Sequence, residues 1–174
     1  VGIGFTSVGK AIFVIGQPAD CADGWLGNSV FAKIVAGREG GAPPPVDLVT
    51  EKAHGQFVRE QIALSQIEAA HDISDGGLLV ALAEMALSGN LGADIIIPES
   101  DTLLAWAFGE DQARYLVQVE DAVKFQALLD EHNLKGHQIG TTKYSQILTV
   151  GPDVTISLEE IRQCYESKLP EMMA

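Results

Sequence analysis

The chain has 174 residues, 47% of them hydrophobic and 20% charged, and its 24 acidic and 11 basic residues give a formal net charge of −13. This composition argues for one globular domain with its own core and against a disordered chain. The negative charge disfavours nucleic acid and anionic membranes as partners, and no apolar run reaches the roughly 20 residues of a membrane span. Cys21 and Cys164 are too few and too distant in sequence for a disulfide framework or a zinc site, so a reduced, cytoplasmic location is expected.

The first elements are predicted from short apolar runs. Residues 1–9 are expected to be a linker or the end of a preceding domain, because the chain opens on Val1 within patterned sequence, and residues 10–174 are expected to form a single domain. "KAIFVIG" is typical of a buried strand, "PADCADGW" of a loop, and "LGNSVFAKIVAG" of a helix that Gly37 ends. The predicted caps of this helix are Asn28 or Ser29, and its predicted apolar side chains are Val30, Phe31, Ile34 and Val35.

A proline-rich stretch separates this start from a longer helix. "REGGAPPPVD" is irregular because three consecutive prolines fix φ and remove backbone donors. Asp47 is a predicted N-cap for the helix "LVTEKAHGQFVREQIALSQ". Its predicted buried side chains are Phe57, Val58, Ile62 and Leu64.

Strands and helices then alternate to the end of the chain. "IEAAHDI", "GADIII" and "ARYLVQV" are predicted strands, and "HQIGTTK" with "QILTV" a predicted hairpin. The predicted helices are "GLLVALAEMALSG", "SDTLLAWAF", "EDAVKFQALLDEHN" with Val123, Leu128 and Leu129 facing inward, and "LEEIRQCYESKLP". This alternation predicts an α/β or α+β layered domain, with a mixed β-sheet flanked by helices.

The segment "HDISDGG" places two aspartates, a serine and two glycines in one predicted turn. In one interpretation Ser74 or Asp75 caps the following helix, and Gly76 and Gly77 permit a tight turn. In the other, the amides of the glycine turn and the helix dipole hold a phosphate. The carboxylates of Asp72 and Asp75 would repel a bare phosphate. This second interpretation therefore requires a Mg²⁺ ion between the carboxylates and the phosphate.

The stretch "FGEDQARYLVQV" is a second candidate. Gly109 precedes Glu110 and Asp111, and either carboxylate could pair with Arg114 as an ordinary surface contact. Alternatively, the loop faces a ligand or another domain at the edge of the sheet.

The remaining motifs are weaker. Gly24, Gly27 and Asn28 precede a helix, and capping explains them. His71 is expected to be a half-buried strand histidine. His132 and His137 lie five residues apart without further ligands, which argues against a metal site.

Taken together, the wording of these motifs resembles the phosphoribosylformylglycinamidine synthase family. "HDISDGGLLVALAEMA", "FGEDQARYLV", "GWLGNSVF" and "REGGAPPPVDLVTEKAHGQFVREQI" carry the resemblance, which runs from about Lys10 to Cys164. Asn28 departs from the family's more usual "LGGS" or "LGQS". The resemblance implies the C-terminal AIR-synthase-related domain of the second half of a duplicated, ATP-dependent amidotransferase of purine biosynthesis.

The resemblance also implies what the domain binds. The full enzyme would use ATP and Mg²⁺, formylglycinamide ribonucleotide, a glutaminase subunit and a small accessory subunit. No stretch matches the family's catalytic histidine, so no catalytic residue is expected here, and the domain alone should be inactive. A structural or auxiliary nucleotide site is expected at Asp72, Ser74, Asp75, Gly76, Gly77, Gly109 and Glu110, with Asp72 and Asp75 toward Mg²⁺. The alternatives are another ATP-binding enzyme of the superfamily, or a non-catalytic domain that docks a glutaminase.

Overall fold

The computed structural model describes residues 1–16, 25–99 and 102–173, with the backbone alone for 168–172. Residues 18–24 of the predicted loop 18–25, with Cys21 and Gly24, lie outside the described residues, as do Ser100 and Asp101 at the start of a predicted helix.

The described residues form strands and helices in the predicted alternation. The strands are β1 (Ala11–Ile15), β2 (Ala69–Asp72), β3 (Gly92–Ile95), β4 (Tyr115–Val119), β5 (Gly136–Lys143), β6 (Ile147–Val150) and β7 (Val154–Ser157). The helices are α1 (Val30–Ile34), α2 (Leu48–Ala63), α3 (Gly77–Gly89), α4 (Leu103–Phe108), α5 (Ala122–Glu131) and α6 (Leu158–Met173). Among these described residues, no helix has the length and apolar character needed to cross a membrane.

The strands form one mixed sheet of seven strands in the order β2-β4-β1-β5-β3-β6-β7. The β3–β6 pair is parallel, and the other neighbours are antiparallel. Helices cover both faces, which confirms the predicted mixed sheet flanked by helices.

Strand β1 lies inside the sheet, between β4 and β5, and contributes to two cores. Ile12 and Val14 point to the face covered by α3, α4 and α6, whereas Phe13 and Ile15 point to the face covered by α2 and α5. Because successive side chains of a strand alternate between faces, a strand buried on both sides reads as a continuous apolar run. This explains why "AIFVI" was recognisable as a buried strand.

The predicted hairpin of β5 and β6 is wrong. Strand β3 lies between them, antiparallel to β5 and parallel to β6. The hairpin in this region joins β6 to β7, a strand that the sequence interpretation missed. The two segments of the predicted hairpin are short and adjacent in sequence. Their length and pattern do not reveal whether a strand from elsewhere in the chain lies between them in the sheet.

Helix faces were predicted less well than helix positions. Val123 is 83% exposed and Leu64 is 65% exposed, so their predicted burial is wrong. On α5 the buried pair is Phe125 and Leu129, four residues apart, with Leu128 at the margin. Val123 lies two residues before Phe125, which places it on the opposite side of the helix.

Helix α1 is shorter than predicted. It ends at Ile34, with Val35 as its C-cap, before Gly37 is reached. Ile34 and Val35 are exposed, and the buried side chain of the helix is Ala32.

Residues 1–9 pack against the domain. Phe5 is buried in the α3 core, and its N–H donates to Met85 O at 3.1 Å. Gly2 forms a parallel bridge with Ala69 of β2. The Thr6 N–H donates to Oε1 of the buried Gln118 at 2.9 Å. This segment therefore contributes to the core and to the edge of the sheet.

Candidate functional site

Three stretches that are separate in sequence meet at one place. Glu110 Oε1 accepts hydrogen bonds from the backbone N–H groups of Val30 and Gly76, each at 2.8 Å. Asp111 Oδ2 accepts from the Trp25 N–H at 3.0 Å, and the Glu110 N–H donates to Trp25 O at 3.1 Å. We call residues 25–30, 74–77 and 109–111 the loop junction.

The turn before α3 is not capped by its own side chains, so the predicted cap by Ser74 or Asp75 is wrong. Gly76 is the N-cap in a left-handed conformation, with φ of 83°, and no side chain of the turn bonds the helix start. The Gly77 N–H donates instead to the carbonyl of Ser74 at 3.0 Å. Because a left-handed N-cap turns the chain away from the usual capping geometry, the carboxylate that reaches the Gly76 amide comes from Glu110.

Gly77 is required by close packing as well as by backbone conformation. Its φ is 77°, and a Cβ there would lie 2.6 Å from the backbone carbon of Phe108. A side chain at this position would therefore push the 108–109 backbone away from the turn.

Arg114 organises the junction from beneath. It is 2% exposed, and its guanidinium donates to Gly109 O and, through Nε at 3.3 Å, to Asp111 O. Asp111 Oδ2 lies 3.6 Å from the guanidinium. The predicted pairing with Asp111 is therefore confirmed, but its expected surface character is wrong, because the guanidinium is buried and also donates to the backbone of the loop.

The helix that follows Trp25 is also attached to the junction. The Ala32 N–H donates to Ser29 Oγ at 3.1 Å, so the cap is Ser29 and not Asn28. The ring of Phe31 stacks on that of Phe108 at a centroid distance of 4.8 Å. Sequence reasoning missed this stack and the bond from Trp25 to Asp111. The one local signal for these contacts was that aromatic residues stand near glycines in both stretches.

His71 lies next to the turn but outside the hydrogen bonds of the junction. It is a half-buried histidine of β2, as predicted, with Nε2 3.1 Å from Glu84 Oε2 and Nδ1 2.6 Å from its neighbour's carbonyl, Asp72 O. It faces a groove of about 470 Å³ that Ser74 and Arg162 also line.

The carboxylates offer limited support for a metal ion. Asp72 and Asp75 are both exposed at the turn. Within 1–16, 25–99 and 102–173, no three His, Cys, Asp or Glu side chains come together as a metal-binding group. The two aspartates fit a Mg²⁺ ion only as one or two ligands, with phosphate and water oxygens supplying the remainder.

The amides predicted to hold a phosphate already have protein partners. The Gly76 N–H is bonded to Glu110 and the Gly77 N–H to Ser74 O. A phosphate that used the Gly76 amide would therefore have to displace a carboxylate with the same hydrogen-bonding preference. The junction brings the predicted residues together, but its glycine amides are bonded to groups of the protein itself.

Comparison with known proteins agrees with the motifs. The family model of the AIR synthase related protein, C-terminal domain, matches residues 7–151. A phosphoribosylformylglycinamidine synthase subunit PurL from Rhodopseudomonas palustris (strain HaA2) is 46% identical over 175 residues, covering 99% of this chain and 23% of the relative. The subunit PurL of Parvibaculum lavamentivorans is 44% identical over 178 residues, again 23% of its length. The chain thus spans less than a quarter of these relatives.

Solved structures show the same fold. PurL of T. maritima complexed with FGAR superimposes with a TM-score of 0.76 at 20% identity, covering 92% of this chain and 29% of that one. The T. maritima PurL complexed with ATP gives a TM-score of 0.68 at 19% identity, covering 91% and 26%. With a family model that matches most of its length, the chain belongs to the AIR synthase related family, as a C-terminal domain of that family.

Proposed function

We propose that this chain is the C-terminal domain of the second half of a PurL-type phosphoribosylformylglycinamidine synthase. The supporting observation is that relatives from several bacteria, 42–46% identical over nearly the whole chain, carry this one name. The proposed location is the cytoplasm, where purine synthesis takes place.

The proposed reaction belongs to the longer protein. ATP phosphorylates the amide oxygen of formylglycinamide ribonucleotide and leaves as ADP. Ammonia, supplied by a glutaminase subunit, then attacks the carbon of the phosphorylated amide and expels phosphate. The product is an amidine. Bound Mg²⁺ would neutralise phosphate charge during the transfer. This domain contributes no catalytic residue.

The role proposed for the domain is to pack against the remaining domains of the enzyme. An apolar groove of about 350 Å³ lies beside the loop junction, and Leu79 and Phe108 form its near wall. Leu103 is 38% exposed and Leu104 is 55% exposed at the same groove. An exposed apolar surface next to the glycine turn supports a packing role there. The glutaminase and a small accessory subunit are further proposed partners, and a structure of PurLQS from T. maritima shares the fold.

A structural or auxiliary nucleotide site at the loop junction is part of the proposal. ATP or ADP would place a phosphate at the turn, with Asp72 and Asp75 toward Mg²⁺. The support is the pair of glycine amides at the start of α3, a 13-residue helix whose dipole favours an anion. Because Glu110 bonds the Gly76 amide, nucleotide binding would require this carboxylate to move.

A domain exchange tests the proposed function. The matching segment of the Rhodopseudomonas palustris PurL would be replaced by this chain in a strain that lacks its own PurL. We expect growth without added purines, as with the original segment reinserted. A soluble chimera that assembles but supports no growth would contradict the proposal, and a deletion of the segment provides the negative control.

Calorimetric titration tests the auxiliary site separately. MgADP and MgATP would be titrated into the chain and into Asp75→Ala. We expect saturable heat for the unmodified chain and its loss in the variant. No heat at millimolar nucleotide would overturn the auxiliary site in this domain and would leave the exchange experiment unaffected.

A further inference from the structure

We infer that Glu110 is a positioning residue, which holds the three loops of the junction in one arrangement before any ligand binds. This inference is independent of the proposed reaction, because it concerns a set of contacts within the chain. It also gives Glu110 a different role from the ligand contact that its place in the motif suggests.

The first step of the argument is that one oxygen atom serves two loops. Glu110 Oε1 accepts the N–H of Val30, the first residue of α1, and the N–H of Gly76, the N-cap of α3. Hydrogen bonds to an ionised acceptor are stronger than those between neutral groups. Moving either loop away therefore breaks a bond to the same carboxylate that holds the other.

The second step is that the carboxylate itself is held on a fixed support. The neighbouring Asp111 bonds the Trp25 N–H, and the backbone of Glu110 bonds Trp25 O. Beneath them, the buried Arg114 holds the carbonyls of Gly109 and Asp111. Since the backbone of 109–111 is fixed from below, the side chain of Glu110 sets the positions of the two loops rather than following them.

The third step is that the turn has no other cap. The side chains of Ser74 and Asp75 are exposed, and no side chain of the turn bonds the start of α3. Removal of Glu110 would leave the Gly76 amide without its acceptor, although the core beneath the turn would be unchanged.

Amide hydrogen exchange followed by NMR tests the inference on this 18.5 kDa chain without nucleotide. The variants are Glu110→Ala, Glu110→Gln and, as a matched control, Glu131→Ala, which removes an exposed glutamate at the end of α5, away from the junction. We expect the amides of Val30 and Gly76 to exchange about tenfold faster or more in Glu110→Ala. The glutamine variant keeps an acceptor oxygen and should restore most of the protection, and the control should match the unmodified chain.

The pattern across the chain separates positioning from general stability. In Glu110→Ala, the amides of β1 should keep their protection while those of the junction lose theirs. Equal loss of protection at β1 and at the junction would overturn the inference, as would unchanged exchange of Val30 and Gly76. A glutamine variant that exchanges as fast as the alanine variant would also overturn it.

Discussion

At the scale of single residues, Arg114 shows how burial changes the meaning of a charge. The motif "GEDQAR" is compatible with a solvated turn, and nothing local distinguishes an exposed arginine from one that is 2% exposed. In the folded chain Arg114 is surrounded by carbonyl groups of its own loop. A planar guanidinium with several donors suits this position better than a lysine would.

We therefore predict a large effect from Arg114→Ala. The substitution leaves Gly109 O and Asp111 O without their buried donor, and we expect the free energy of unfolding to fall by about 2 to 4 kcal/mol. Urea unfolding measures it, with Arg59→Ala on the exposed side of α2 as the matched control. A loss no greater than that of the control would contradict the buried role of Arg114.

At the scale of elements, the cap of α2 is a feature that the local sequence predicts. Asp47 was expected to cap α2, and its Oδ1 accepts from the N–H groups of Val49 and Thr50 at 2.9 and 3.2 Å. At α6, Ser157 and Glu160 bond each other's backbone N–H groups in a capping box, although the S-x-x-E spacing was overlooked in the sequence. Such signals depend on residues three apart and need no knowledge of the fold.

The cap of α2 should give a pH-dependent stability. The Thr50 hydroxyl, followed by the Thr50 and Val49 amides, lowers the pKa of Asp47 below its ordinary value of 3.8. A lowered pKa means that the carboxylate stabilises the folded state above 3.8 and that this stability is lost as the pH falls through the folded-state pKa. Asp47→Ala should therefore be less stable than the unmodified chain at neutral pH, with a smaller difference in acid.

Urea unfolding at neutral pH and at a pH well below 3.8 checks this expectation. Asp47→Asn is the matched variant, since asparagine also caps a helix but does not titrate. A difference between the alanine variant and the unmodified chain that stays constant with pH would argue against the carboxylate bonds.

The capping box of α6 can be tested through a titration. The Ser157 hydroxyl, followed by the Ser157 backbone N–H, lowers the pKa of Glu160 from its ordinary value of 4.5. In Ser157→Ala we expect the pKa of Glu160 to rise toward that value, because the hydroxyl that donates to its carboxylate is gone. NMR titration of the carboxyl carbon measures the change, and Glu159, which shares the first turn, serves as the reference.

At the scale of the whole molecule, the first nine residues pack against the rest of the chain. Phe5 is 3% exposed and packs with α3, although the segment reads as a linker. Glycines lie on both sides of it in the sequence. In the structure, one of them lets the segment cross α3 at close range, since a Cβ on Gly4 would lie 2.7 Å from Gly89 N.

Phe5→Ala should consequently destabilise the whole domain. Removing a buried phenylalanine side chain costs about 3 to 5 kcal/mol in well-packed cores. Thermal or urea unfolding should show one cooperative transition at lower stability, whereas Val8→Ala, at a position that is 48% exposed, should change little. An unfolding curve of Phe5→Ala that coincides with the unmodified one would contradict a contribution of Phe5 to the core.

The sequence by itself determined the elements that depend on local patterns. The apolar run of β1, the position of α3, the Asp47 cap and the alternation of strands with helices all follow from residues within a few positions of one another. The wording of its motifs also indicated the family, and the alternation of strands with helices independently predicted a layered fold.

The tertiary structure alone decided how distant parts meet. Insertion of β3 between β5 and β6, the burial of Arg114 and the use of Glu110 by two loops all depend on contacts between residues that lie far apart in sequence. The physical reason is that a carboxylate or guanidinium carries no local pattern that specifies its partner. Its environment is set only when the sheet and the helices have closed around it.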